Sequence, residues 1–276
     1  MIRKSIKHNG WLLNIIGLII VIIYLSPIYW MIITSFKSQS EIFQAVPTLI
    51  PKDFQFNSYI DQFGSGLGQM TLNSFIIAIS SMIIVIIVSI PAAYALARFR
   101  VKGAKLILLF FLITQMMPTT VSLAPLFILF KNLGILNTYI APILATSTGG
   151  IAFSILLLRP YFLSAPKALE EAALLDGCNR FTAFIRVMIP VVMPGILVCA
   201  AISFLFAWGD LISSLTFIRD QELWPLTAGI YNAIGRYGTE YNYLMAFGTI
   251  AVIPVIILFV ALQKYLVKGL AAGSVK

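Results

Sequence analysis

The chain has 276 residues, of which 60% are hydrophobic and 11% are charged, where soluble domains carry roughly 25% charged residues. With a mean hydropathy of +0.96, polar side chains are too few to cover a water-facing surface, which excludes a soluble globule and predicts an integral membrane protein. The net charge of +9 would direct a soluble protein toward nucleic acid. In a membrane protein the placement of the basic residues matters instead, and no nucleic-acid partner is expected.

A membrane helix needs about 20 mostly apolar residues. Six stretches qualify: Trp11 to Ser35, Thr71 to Ala97, Leu106 to Phe130, Tyr139 to Leu158, Met193 to Ile218 and Tyr243 to Leu262. Their apolar runs are continuous, which favours helices over the alternating strands of a membrane barrel. Arg3, Lys4 and Lys7 precede the first run, but the run is too long for a signal peptide and lacks a small-residue cleavage site, so it is expected to remain as an anchor. Arg98, Arg100, Lys102, Lys105, Arg159, Lys167, Arg180, Arg186, Lys264, Lys268 and Lys276 fall on the same side as that tail. Only Lys37, Lys52, Lys131, Arg219 and Arg236 fall on the other. By the positive-inside rule both termini are expected in the cytoplasm. Two outer segments, Phe36 to Met70 and Arg219 to Asn242, and one inner segment, Arg159 to Val192, are long enough to have tasks of their own.

Pro27, Pro91, Pro118, Pro125, Pro142, Pro194 and Pro254 lie in or beside these runs. Each removes a backbone hydrogen bond and invites a bend, and hydroxyls such as Thr119, Thr120 and Ser122 can satisfy the freed carbonyls.

The chemistry available is narrow. His8 is the only histidine, Cys178 and Cys199 are the only cysteines, and no Gly-Lys dipeptide occurs. That leaves no His-rich metal site, no Ser/His or Cys/His pair and no phosphate loop, so neither catalysis, a metal, nor ATP binding on this chain is expected. Asp210 is the only ionisable residue well inside a predicted span. It either faces a water-filled vestibule together with neighbouring Trp208 or has a structural role. One buried acid is too few for an ion-coupled carrier, which would be expected to pair several. The absence of Arg or Lys at mid-span favours a neutral, hydroxyl-rich cargo over a phosphate or carboxylate.

The inner segment contains Ser164-Ala165-Pro166-Lys167-Ala168-Leu169-Glu170-Glu171-Ala172-Ala173-Leu174-Leu175-Asp176-Gly177. Pro166 suits a first helical turn, strong helix formers follow, and Gly177 supplies a stop, which together predict a short helix. Its alanines leave a low-relief patch that another protein's groove can approach, with Glu170 and Glu171 at the rim for a basic partner. A helix resting on lipid headgroups would instead carry Lys and Arg on its polar face and large apolar residues opposite.

Glu171-Ala172-Ala173, three residues, Gly177, nine residues and Val187-Met188-Ile189-Pro190 resemble the E-A-A-x3-G-x9-I-x-L-P loop of permease subunits in binding-protein-dependent ABC importers. Only Val187 and Ile189 differ, both conservatively. Pro27-Ile28-Tyr29-Trp30, Ser35-Phe36-Lys37, Asn73-Ser74-Phe75, Ala92 to Phe99, Pro125-Leu126-Phe127, Leu133 to Tyr139 and Gln263 to Leu270 resemble recurring segments of the carbohydrate-uptake branch, which includes the smaller permease of maltose transporters. Trp208-Gly209-Asp210 departs from the Trp-Asn-Glu usual there.

The resemblance implies an all-α type I importer permease fold: one transmembrane domain over 1–276, with an anchor at 11–35, a core at 71–262 and a coupling loop at 159–192. It implies a multi-pass subunit of a bacterial or archaeal cell membrane, in contact with lipid. This subunit would work with a second homologous permease, a pair of ATPase subunits holding ATP and magnesium, and an extracytoplasmic protein that delivers a sugar, an oligosaccharide above all. Glu170, Glu171, Ala172, Ala173, Asp176, Gly177 and Pro190 would form the ATPase-coupling site, and the loop 219–242 would reach toward the binding protein. A glycerol-phosphate permease is the alternative within the class. An autonomous secondary transporter is the alternative outside it, and an intramembrane enzyme would have no chemistry to use.

Overall fold

The computed structural model describes residues 10–236 and 240–274. The predicted roles of Arg3, Lys4, Lys7, His8 and Lys276 lie outside the described residues, as do positions 237–239 of the outer loop 219–242. The described residues form two compact units, one from 10–65 and 232–252 and the other from 66–231 and 253–274.

In the first unit, α1 (Gly10–Ser35) is apolar along its length and exposed nearly all round. The predicted outer segment 36–70 then folds through α2 (Gln39–Ile42) and α3 (Asn57–Gly64). Lys37 is buried, donates to the Thr48 carbonyl at 2.5 Å and lies 4.5 Å over the Trp30 ring, so its charge has both an acceptor and a π-face. Buried Glu41 accepts from the Thr48 hydroxyl at 2.5 Å and from the Lys52 amide at 3.1 Å. The Thr48 hydrogen bond is the main reason its carboxyl sits below the usual carboxylate value. Gln62 donates to the Tyr243 carbonyl at 2.7 Å and Asn242 to the Ser58 hydroxyl at 2.9 Å, so polar side chains fasten α3 within this unit.

The second unit is built around α4 (Leu67–Arg98). After it come α5 (Ala104–Met116), α6 (Thr119–Asn132), α7 (Ile140–Ser164), α8 (Lys167–Leu175) and α9 (Arg180–Ala183). A single π turn, Phe184–Met188, leads into α10 (Ile189–Trp208), α11 (Ile212–Phe217) and α12 (Leu226–Arg236), whose residues from 232 belong to the first unit. The described chain ends with α13 (Tyr241–Ser274), which belongs to the first unit up to 252 and to the second from 253. The core is the three-way packing of α4, α7 and α10, where Ile90, Tyr94, Leu158, Phe162, Val192 and Ile196 interlock. Small polar residues let these helices approach closely, as in other membrane bundles. The Ser81 and Thr146 hydroxyls are 2.8 Å apart, Ser89 donates to the Ile151 carbonyl at 3.3 Å, and Gly150 meets Val85 with no room for a side chain.

Among the described residues five helices are long and apolar enough to cross a membrane: Trp11–Ser35, Leu67–Arg98, Ile140–Ser164, Arg180–Trp208 and Tyr241–Lys264. The predicted third span, Leu106 to Phe130, is not one straight helix. It is the pair α5 and α6, bent by 100°. The break sits at Met117 and Pro118, both in extended backbone with ψ of 134° and 133°. Proline offers no amide to α5 and pushes the preceding residue out of helical space. Pro27, Pro91, Pro125, Pro194 and Pro254 by contrast lie inside helices that continue through them. A further correction concerns the fifth predicted span, Met193 to Ile218. Its helix begins earlier, at the π turn, and stops at Trp208, leaving Gly209 to Leu211 as a break before α11.

Candidate functional site: the coupling loop and the Trp208 to Asp210 break

At one end of the second unit the close of α4, the close of α7 and the start of α10 come together. Arg159 donates from Nε to the Leu96 carbonyl at 3.1 Å, and Arg98 donates from Nη2 to the Ala165 carbonyl at 2.7 Å. The chain leaves α7 through Ala165 and Pro166, both extended, and turns into the nine-residue helix α8. The Cys178 amide bonds back to the Ala173 carbonyl at 3.0 Å and the Gly177 amide to that of Leu174 at 3.2 Å, the two bonds of a Schellman stop. Gly177 has φ +86°, a backbone state that L side chains resist, which is why glycine stands here. Asn179 then caps α9 by accepting from the Thr182 amide at 2.8 Å.

Helix phase sorts the predicted coupling residues. Ala168, Leu169, Glu171, Ala172, Leu175, Asp176 and Gly177 are exposed, whereas Ala173 is buried against the bundle, as is Met188 of the π turn. Of the two alanines in the Glu171-Ala172-Ala173 motif only Ala172 therefore faces outward, flanked by exposed Ala168, Leu169 and Leu175. Pro190 is exposed in the first turn of α10. Glu170 was expected at the rim beside Glu171 but turns inward. One carboxylate oxygen accepts from the Tyr94 hydroxyl at 2.5 Å, and the other lies 3.4 Å from Nε of Arg98.

At the opposite end of the unit, Trp208 is buried, its ring stacked at 5.6 Å on Phe204 and 4.8 Å from Phe75. It packs in the core; the expected vestibule position is not found. Asp210 lies two residues beyond the end of α10, outside the span that was expected to hold it. Its carboxylate accepts from the Ser213 hydroxyl at 3.0 Å, the Ser214 amide at 3.1 Å and the Ser213 amide at 3.4 Å, so it caps the first turn of α11. Its own carbonyl accepts from Thr227 at 2.7 Å. Asp210→Ala leaves those amides without an acceptor and is expected to cost about 1 to 2 kcal/mol, while Asp210→Asn, which keeps a carbonyl oxygen, costs less. Thermal unfolding in detergent with amide exchange over 211–217 checks this. Equal stability of both variants with wild type would show that the cap is not what Asp210 contributes.

Asn73 has a role that the span pattern did not expose. It is fully buried, donates to the carbonyls of Glu222 and Trp224 at 2.8 and 2.9 Å, and accepts from Tyr139 at 2.7 Å and Gln69 at 2.8 Å. Neighbouring Ser74 accepts from the Leu226 amide at 2.7 Å. An amide in the middle of an apolar run was the available signal, because such a group is buried only with partners.

Among the described residues no group of three or more His, Cys, Asp or Glu side chains is placed to hold a metal ion. With this geometry in view, comparison with known proteins defines the class: residues 89–272 match the model of the binding-protein-dependent transport system inner membrane component family. The chain belongs to that family of transport permeases. It is 36% identical over 250 residues to the probable ABC transporter permease protein YurM of Bacillus subtilis (strain 168), covering 91% of this chain and 83% of that one. It is 30% identical over 279 residues to the diacetylchitobiose uptake system permease protein DasC of Streptomyces coelicolor, covering 99% of each. The fold is also that of a chain from the crystal structure of a bacterial ABC transporter involved in the import of the acidic polysaccharide alginate. That likeness has a TM-score of 0.78 at 23% identity, over 95% of this chain and 99% of the other.

Proposed function

We propose that this chain is the permease subunit of an ATP-driven sugar importer with oligosaccharide cargo, and that α8 is the helix through which ATPase subunits drive it. The observation that carries the docking role is the outward face of α8. Leu169, Ala172 and Leu175 are exposed on a rigid, glycine-terminated helix at the end where Arg98, Arg159, Arg180 and Arg186 gather. That concentration of positive charge supports a cytoplasmic placement of this end by the positive-inside rule. Ala172 lets a groove approach the backbone, and Glu171 at the edge meets a basic residue of the partner.

In this reading a second homologous permease completes the pathway, and an extracytoplasmic binding protein delivers the sugar. ATP and its magnesium sit on the ATPase subunits. Closure of those subunits moves the α8 helices and switches the bundle between two packings, with nucleotide supplying the bias. The oligosaccharide assignment draws on relatives named for diacetylchitobiose uptake and alginate import.

Uptake by cells that carry or lack this chain tests the cargo class. Loss of uptake of a labelled di- or oligosaccharide, from a panel of diacetylchitobiose, maltose and arabino-oligosaccharides, is expected on deletion and is restored by the gene in trans. Loss of glycerol phosphate uptake alone would move the assignment to that alternative. Unchanged uptake across the panel would contradict the sugar reading.

A further inference from the structure

Glu170 stands next to the docking face of α8, yet its carboxylate is spent inside the protein. Its side chain is 17% exposed and that of Arg98 is 5% exposed, so water competes little for either. Tyr94 and Arg98 are one turn apart at the close of α4 and present one hydroxyl donor and one guanidinium charge, 3.4 Å away, to the same carboxylate. The Tyr94 ring is held by Phe184 at 4.6 Å, Phe162 at 5.5 Å and Phe99 at 5.6 Å, so its hydroxyl is fixed before Glu170 arrives. Arg98 also holds the Ala165 carbonyl, on the lead into α8. An exposed ion pair in this position would contribute little. A sheltered carboxylate held by one directional hydroxyl and one guanidinium charge resists sliding in a way that the apolar contact at Ala173 does not, and losing one partner leaves a buried charge uncompensated.

We propose that Tyr94 and Arg98 clamp α8 to the end of α4 through Glu170, making Glu170 a positioning residue that delivers displacement of the coupling helix to that span. The inference rests on the docking role proposed for α8. It gives a task to the Ala92 to Phe99 segment, which sequence resemblance marks but does not explain. It also gives the displacement a direction. α4 has 32 residues, and Asn73 near its other end holds the carbonyls of Glu222 and Trp224.

The test is amide exchange by mass spectrometry on the intact complex with its native ATPase subunits, with and without magnesium and a non-hydrolysable ATP analogue. In wild type, exchange is expected to change with nucleotide both over 167–177 and over 92–99. In Glu170→Gln the response over 167–177 persists while that over 92–99 falls about tenfold, as expected for loss of a sheltered charged hydrogen bond. Glu170→Arg combined with Arg98→Glu recovers about half of the lost response, because the ion pair returns without the Tyr94 bond. A full response over 92–99 in Glu170→Gln overturns the clamp and leaves the docking role standing. No response over 167–177 in wild type overturns the docking role and the clamp with it. Should Glu170→Gln fail to assemble, Tyr94→Phe, which removes one hydroxyl from a packed ring, is judged by the same two segments.

Discussion

Gly177→Val is expected to insert into the membrane, assemble its spans and fail to couple ATP hydrolysis to solute uptake. A Cβ built at Gly177 meets nothing within 4 Å, so the effect does not come from crowding. It comes from the backbone: at φ +86° an L residue is disfavoured by about 1 to 2 kcal/mol, and a β-branched one more so. Relaxing that strain means giving up the Cys178 to Ala173 and Gly177 to Leu174 hydrogen bonds. The last turn of α8, with Leu175 and Asp176, then loses its fixed position against the partner. Gly177→Asn, which tolerates left-handed backbone, should keep most of the coupling, and Gly177→Ala should fall between the two. ATPase rate and uptake measured together in reconstituted vesicles check the series. Equal coupling in the valine and asparagine variants would mean that the helix stop does not matter to transmission.

Gly150→Leu has the opposite cause and a larger effect on folding. A Cβ there would lie 2.8 Å from Cγ2 of Val85 and 3.7 Å from the Ser203 hydroxyl, at the meeting of α4, α7 and α10. Val85 is buried and β-branched, so it cannot turn aside cheaply. Overpacking of this kind costs about 1 to 3 kcal/mol for small additions and more for a whole isobutyl group. The neighbouring residue supplies the control, because Gly149 has nothing within 4 Å of its Cβ position and Gly149→Leu should be nearly neutral. Monodisperse yield and thermal unfolding in detergent separate the two. If both variants behave as wild type, α4 and α7 are not as close in solution as the packing requires.

Much of this molecule is legible in the sequence because a membrane helix declares itself through length and apolarity. The runs that became α1, α4, α7 and α13 need no other information, and Pro166 with Gly177 brackets α8 to within a residue or two. The third span was read as an apolar run with a bend invited at Pro118, but the size of that bend was not legible, for a physical reason. Average hydropathy is as high on both sides of Met117 and Pro118 as in a continuous helix, and only the stereochemistry of the dipeptide marks the 100° turn. Asp210 was misplaced in the same way, because Trp208-Gly209-Asp210 interrupts the helix without interrupting the apolar composition around it. The rotation of α8 was beyond reach altogether. Glu170 and Glu171 look alike in the chain, and which of them faces the bundle depends on Tyr94 and Arg98, brought to α8 only by the packing of α4 against α7.

The most direct test of the account is to tag this chain, extract it from its native membrane in mild detergent and identify its companions by mass spectrometry. The account predicts recovery of a phosphate-loop ATPase together with a second permease bearing the same E-A-A loop, and their reduction when Glu171→Lys reverses the charge beside the docking face. Repeated recovery of a stable, transport-active chain on its own would contradict it.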